Sequence, residues 1–307
     1  MRRKKCSNIQ VTNNKNKMTN RREFLKQASM LVASGIAGSS ILSGCAGEDK
    51  KHIGLQLYSL RDDVNDIGIQ EVLKIVAKMG YVNLETAGYS DGKIYDIAPG
   101  EFKKMVNDLG MKVTSAHLGR PISDNRDEDT TWWNRATEAH AAAGMKYMIM
   151  PWAPFDGDGA TLDNVKRYGE YFSNIGKITA LASITFGYHN HDFEFTNKID
   201  GVPLYDLLIE NTSPRHVIFQ NDVYWTQAGG YNPVDYLKKY YDRIKTLHIK
   251  DKKAIGLSGT MDFKAIFDQA YENGVKDWYV EVEEYDGTPQ EDVKKSYDFL
   301  AAADYVK

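Results

Sequence analysis

From Ile53 to the C-terminus, short runs rich in β-branched and aromatic residues alternate with helix-patterned segments eight times at nearly even spacing. This constrains the fold most, because strands separated by helical crossovers lie parallel in one sheet. The pattern predicts strands over 53–60, 81–87, 112–118, 147–151, within 184–195, and over 217–224, 244–250 and 278–283. Helices are predicted over 69–79, 99–109, 130–143, 162–181, 203–211, 233–241, 262–273 and 290–303. Gly80, Gly110 and Gly144 stand where helices need a C-terminal cap, and Pro99 where a first turn accepts proline. No Pro/Gly/Ser-rich linker interrupts the series. Eight units favour closure into a single (β/α)8 barrel of the α/β class, for which about 250 residues is typical. An open, doubly wound sheet would need a Gly-rich turn after the first strand, and Tyr58, Ser59, Leu60 and Arg61 do not form one.

The barrel is expected over 53–307, preceded by a leader at 1–44 and a short tether at 45–52. Residues 1–17 are basic and Asn-rich, and Met18 is an alternative start. Arg21 and Arg22, then Phe24 and Leu25, then a small-residue apolar run over 28–42, resemble a twin-arginine export signal. The run 42–45 (Leu-Ser-Gly-Cys) resembles a lipobox, which would make Cys45 the lipidated first mature residue. The expectation is an exported protein, periplasmic or membrane-anchored, touching a membrane only through a lipid on Cys45. The chain has no run of about 18 apolar residues that would argue for a spanning helix. Removing 1–44, with nine Lys/Arg and one acidic residue, leaves 30 bases against 41 acids, a net of −11. Such a charge excludes attraction to a nucleic-acid backbone. Both cysteines, Cys6 and Cys45, fall before the barrel, which therefore has neither disulfide nor thiolate chemistry.

In a barrel of this kind the chemistry sits at the C-terminal ends of the strands. Residues two apart on a strand share a face, which pairs His189 with His191, Gln220 with Asp222, His248 with Lys250, and Glu281 with Glu283. Imidazoles and carboxylates converging from neighbouring strands suit a divalent cation better than a packed core. Asp222 is a charge ending a buried run, costly unless paired or metal-bound, or else the cap of the next segment. Lys250 would hold a substrate oxygen or orient a carboxylate. Glu85 ends the second strand and His117 the third, with Gln56 near the end of the first. Each is as compatible with a structural role as with substrate contact. Aromatic residues near the presumed top loops, Trp132, Trp152, Phe155, Tyr224 and Trp225 among them, suit sugar rings but also simple packing.

The runs 188–195 (Tyr-His-Asn-His-Asp-Phe-Glu-Phe), 221–225 (Asn-Asp-Val-Tyr-Trp), 247–251 (Leu-His-Ile-Lys-Asp) and 279–281 (Tyr-Val-Glu) occur in order. With them the segment from Ile53 onward resembles the xylose isomerase-like (β/α)8 family of sugar isomerases and epimerases. The resemblance implies one divalent metal ion (Mn, Mg, Co or Zn) held by strands five to eight. Asp222, His248 and Glu281 match three of the family's four ligand positions. At the first, where many members carry Glu, this chain has His189. Either His189 replaces that ligand, as strand parity favours, or Glu194 reaches back to the metal. Because family epimerases use two metal-bound glutamates as bases, a His there makes symmetrical two-base exchange less secure. Inosose dehydratases carry a comparable His-rich fifth strand.

The resemblance implies proton abstraction next to a carbonyl, with Glu281 or Glu194 as base and Lys250 and His117 polarising oxygens. Glu85, His191, Gln56, Trp225 and Glu283 are the expected substrate contacts. A metal-dependent sugar isomerase or epimerase is the leading expectation. A lyase or dehydratase on a keto-sugar is the alternative, and a lipid-anchored sugar-binding protein without turnover the non-enzymatic one. Export argues for a non-phosphorylated sugar, although Lys252, Lys253 and the loop 256–259 are candidates for a phosphate site.

Overall fold

The computed structural model describes residues 51–307. The expected leader at 1–44, the Cys45 anchor and all but the last two residues of the tether at 45–52 lie outside the described residues. Eight parallel strands form a closed barrel: β1 Gly54–Gln56, β2 Asn83–Thr86, β3 Lys112–His117, β4 Tyr147–Met150, β5 Thr185–His189, β6 Val217–Asp222, β7 Ile244–Lys250 and β8 Asp277–Glu281. Each strand pairs with the next, and β8 closes on β1 with Gly54 opposite Tyr279 and Leu55 opposite Val280. The crossovers carry α1 Ile69–Met79, α2 Pro99–Asp108, α3 Arg126–Ala143, α4 Leu162–Ala180, α5 Leu204–Glu210, α6 Pro233–Lys239 and α7 Phe263–Glu272, and α8 Pro289–Ala302 ends the chain. Among the described residues no helix is long and apolar enough to cross a membrane.

Local chemistry sets the boundaries. Gly80 and Gly144 end α1 and α3 in the left-handed region, at φ 110° and 80°, where a side chain would be strained. Asn125 caps α3, its side chain accepting the Glu128 N–H at 3.1 Å. The helix therefore begins at Arg126, four residues before the expected 130. Its first turn is acidic (Asp127, Glu128, Asp129) and gives no apolar periodicity, although those charges favour a helix N-terminus.

Several strands stop earlier than their apolar runs. Gln56 ends β1, and its side-chain oxygen accepts the Tyr58 N–H at 3.0 Å to start a tight 3-10 turn over Leu57–Leu60. Asp222 ends β6 by capping a short helix, Val223–Ala228, which the expected strand 217–224 did not anticipate. A short helix at Phe193–Thr196 likewise follows β5, and Glu283 lies in the loop beyond β8.

One face of each strand feeds a continuous apolar core shared with the helices. Leu55, Leu84, Phe186, Phe219, Leu247, Ile249 and Val280 belong to it, with Val76, Phe102, Phe172 and Phe267 from the helices. Barrel interiors are usually filled by branched apolar side chains. Here Gln56, Glu85, Ser115, Gln220 and His248 are wholly buried instead. Buried polar groups need partners, so this departure points to the site.

Candidate active site and metal centre

Glu85, at the end of β2, is the hub beneath the barrel mouth. One of its oxygens accepts from Gln56 Nε2 at 2.8 Å and His248 Nε2 at 2.5 Å. The other accepts from Ser115 Oγ at 2.5 Å and Gln220 Nε2 at 2.9 Å. Gln220 then has only its carbonyl oxygen for His117, which lies 2.6 Å from His117 Nε2. The network assigns the proton of His117 to Nε2 and leaves Nδ1 as its lone-pair nitrogen. By the same logic His248 donates from Nε2 to Glu85. Its Nδ1 sits 3.1 Å from Glu281 Oε2 and 3.9 Å from Asp222 Oδ2.

Above this hub His189, Asp222, His248 and Glu281 converge, each offering a ligand atom within 4.8 Å of the others. They come from β5, β6, β7 and β8 and are all buried. Asp222 uses one oxygen to cap the following helix, accepting the Trp225 N–H at 2.8 Å, while Oδ2 is buried without a hydrogen-bond partner. His189 Nδ1 is orphaned in the same way. A buried group of two imidazoles and two carboxylates, with a donor atom left unpartnered on two of its members, fits a divalent cation.

The electrostatics of the four differ residue by residue. Burial raises Asp222 to about 8, partly opposed by Lys250 and reinforced by Glu281. Burial lowers His189 far below its ordinary value, and His248 and His117 add to the effect, so it stays neutral, as a metal-binding imidazole must. Burial alone would lower His248, but Glu281 and Glu85 raise it to about 10, so holding a cation requires that its Nδ1 give up a proton. Glu85 is held down near 2 against its own burial by His117 and His248.

A cavity of about 450 Å³ opens onto this group, within the size range of small-molecule sites. Tyr58, Tyr89, His117, Trp132, Trp152, His189, His191, Glu281 and Glu283 are among its lining. His191 is partly buried and lowered to about 4, chiefly by burial, so it too is neutral near pH 7. Lys250 is 2% exposed, with Nζ 2.8 Å from Glu283 and 3.6 Å from Glu281.

Several expected roles meet a different geometry. Glu194 does not reach the buried group. Its carboxyl is bonded to the Tyr188 hydroxyl and, at 2.8 Å, to the His191 N–H, because the short helix after β5 turns it behind the strand. Glu85 and Gln56, expected to touch substrate, are wholly buried beneath the cavity, bonded to each other, with Glu85 also bonded to His248. Trp225 lies outside the lining, beside His191 at a ring separation of 5.9 Å and under the Lys250 ammonium at 5.5 Å. The candidate phosphate loop is folded onto Asp251, which accepts the N–H groups of Lys252, Gly256 and Ser258, and Lys253 pairs with Asp286. Sequence reasoning passed over Ser115 and the positioning role of Gln220. For Gln220 the signal was its place two residues before Asp222. It also missed Tyr58 and Tyr89, of which Tyr58 follows a strand end and was open to the same rule.

Comparison with known proteins gives a consistent account. The chain is similar to a solved sugar phosphate isomerase/epimerase from Parabacteroides distasonis, 38% identical with a TM-score of 0.76, over 84% of this chain and 100% of that one. It is also similar to inosose dehydratase of Geobacillus kaustophilus, 26% identical over 211 residues, 62% of this chain and 66% of that protein. Inosose dehydratase of Salmonella agona is 29% identical over 108 residues, 34% of each chain. The chain thus spans just under two thirds and about one third of the lengths of these two curated relatives. Residues 66–303 match the family model described as xylose isomerase-like TIM barrel, and the chain belongs to that family.

Proposed function

We propose that the protein is a metal-dependent sugar isomerase or epimerase acting by proton abstraction next to a carbonyl. The observation that carries this reading is the buried group His189, Asp222, His248 and Glu281, with Asp222 Oδ2 and His189 Nδ1 left without partners. These four residues would hold the cation, and two imidazole donors favour Mn, Co or Zn over Mg. When bound, the cation supplies Lewis-acid stabilisation of the negative charge that develops on the sugar as the proton leaves.

The chain's own groups supply the rest. Glu281 faces the cavity from β8 and is held well below the ordinary carboxylate range by His248 and Lys250, against its burial, so it is ionised and able to take a proton. His117 presents Nδ1 as an acceptor for a sugar hydroxyl. Lys250 holds Glu283 and keeps a positive charge 3.6 Å from Glu281. His191 lines the cavity as a neutral imidazole, available to move a proton.

One observation favours a lyase as the second reading. With Glu194 turned away, both carboxylates lining the cavity come from β8 and the loop after it, so a matched glutamate pair is missing. One-sided proton removal followed by loss of a β-substituent needs only one such base. The similarity to inosose dehydratases supports this too. Incubation with candidate sugars in deuterated water tests both. Exchange at carbon with isomer or epimer formed supports the first reading, and exchange with loss of water or aglycone supports the second. Glu281→Gln is expected to lower the exchange rate by about 10²–10⁴-fold. Undiminished exchange in that variant would remove Glu281 from the chemistry. We further propose export through the leader at 1–44. Mass spectrometry of the native product, showing lipid on Cys45 or an intact Met1, decides that.

A further inference from the structure

The cavity wall is divided by side-chain type. The segments after β1 to β4 contribute Tyr58, Tyr89, Trp132 and Trp152, whereas β5 and β8 and the loops after them contribute His189, His191, Glu281 and Glu283. His117 stands on the seam. Isolated exposed aromatics mean little, but four lining one cavity give it a broad apolar surface. Trp152 and Tyr58 each remain 43% exposed. Trp132 is held in T-shaped contacts by Tyr89 at 5.4 Å and Trp133 at 4.9 Å, so its ring is ordered before a ligand arrives.

Proton abstraction on one small sugar engages only the polar half. A phosphate suits neither half. None of the lining residues is Lys or Arg, and Glu281 and Glu283 would repel it. Lys250 is already paired with Glu283, and the loop after β7 is closed on Asp251.

We propose that the substrate is a keto-glycoside, whose reacting ring carries the ketone and lies over the polar half while a second, uncharged ring stacks on the aromatic wall. The proposal rests on the sugar-directed reading above and narrows its substrate class. Aryl rings and the C–H faces of pyranoses share the flat apolar surface that such a wall recognises. Calorimetric titration of the purified full-length protein with excess Mn²⁺ tests it. The probes are methyl β-glucoside, 4-nitrophenyl β-glucoside, cellobiose and glucose 1-phosphate, each also with its reacting ring oxidised to the 3-ketone, with the corresponding galacto and xylo glycosides as further arms.

A two-ring probe is expected to bind about 10-fold more tightly than the methyl glycoside, with the phosphate ester weakest. Gain with the nitrophenyl arm alone identifies an aryl aglycone, and gain with the disaccharide alone a second sugar. Both support the proposal. In Trp152→Ala and Tyr58→Ala, each at an exposed position, the ratio of two-ring to methyl affinity is expected to collapse. Binding of the methyl glycoside with no gain from a second ring overturns the proposal and leaves the sugar reading standing. So does tightest binding by the phosphate ester. Failure of every probe to bind overturns the sugar reading and the proposal with it.

Discussion

Single residues explain why the buried group keeps its shape. Glu85 spends both oxygens on four donors and so orients two imidazoles, His248 directly and His117 through Gln220. Carboxylates behind a metal-binding histidine fix its ring and raise its basicity. Glu85→Gln is therefore expected to weaken Mn²⁺ or Zn²⁺ binding by about 10–100-fold in calorimetry, with the circular dichroism spectrum unchanged. Unaltered affinity would remove Glu85 from the support of the site. Glu194 gives a prediction of a different kind. Burial raises it from 4.5 to about 8, against hydrogen bonds from Tyr188 and the His191 N–H. The folded state therefore holds one more proton than the unfolded chain between those values. Its contribution is best below about 4.5 and worsens as pH rises toward 8. Relative to Glu194→Gln, which lacks this titration, wild-type stability should fall by up to about 1.4 kcal/mol per pH unit across that window. Parallel pH profiles from urea unfolding would contradict it.

At the scale of elements, polar side chains decide where each unit begins and ends. Thr288 and Glu291 form a reciprocal capping box at the start of α8, with Pro289 in the first turn. Thr288→Ala is expected to cost about 1 kcal/mol in equilibrium unfolding, and an unchanged denaturation midpoint would show that α8 draws its stability from packing alone. The same caps show what was legible beforehand. Alternation and terminal glycines gave all eight strands and eight helices their places, because apolar period and left-handed caps are written locally. Strand parity also pointed to Asp222, His248 and Glu281 on the inner face, and the structure brings their ligand atoms together with that of His189. The side chains of Gln56 and Asp222 end their strands by capping the next turn, and period counting does not see a side chain that competes for backbone N–H groups. Glu194 misled for a related reason. Beyond a strand end, direction is set by the turn that follows, and the short helix at Phe193–Thr196 carries the carboxyl behind β5. The Glu85 hub joins β1, β2, β3, β6 and β7, contacts that exist only once the sheet has closed.

Across the whole molecule, closure places four like-minded ends on adjoining strands, so the last half of the barrel gathers charge that it cannot neutralise from within. Asp222 rises to about 8 because burial and the Glu281 carboxylate together outweigh the Lys250 ammonium. A bound cation removes that conflict and ties β5, β6, β7 and β8 together at one point, which the unfolded chain cannot reproduce. Ligands that bind only the folded state stabilise it in proportion to the logarithm of their saturation, about 2.7 kcal/mol at one hundred times the dissociation constant. For a barrel of this size that corresponds to a rise of roughly 5–10 °C in melting temperature. Treatment with EDTA should lower the transition by that amount, and stoichiometric Mn²⁺ or Zn²⁺ should restore it. Asp222→Asn keeps the helix cap through its remaining oxygen but loses the anionic ligand, so its transition should respond far less to either treatment. A wild-type transition indifferent to chelator and metal, with elemental analysis finding no divalent ion, would refute a metal centre at the barrel mouth while leaving the fold itself intact.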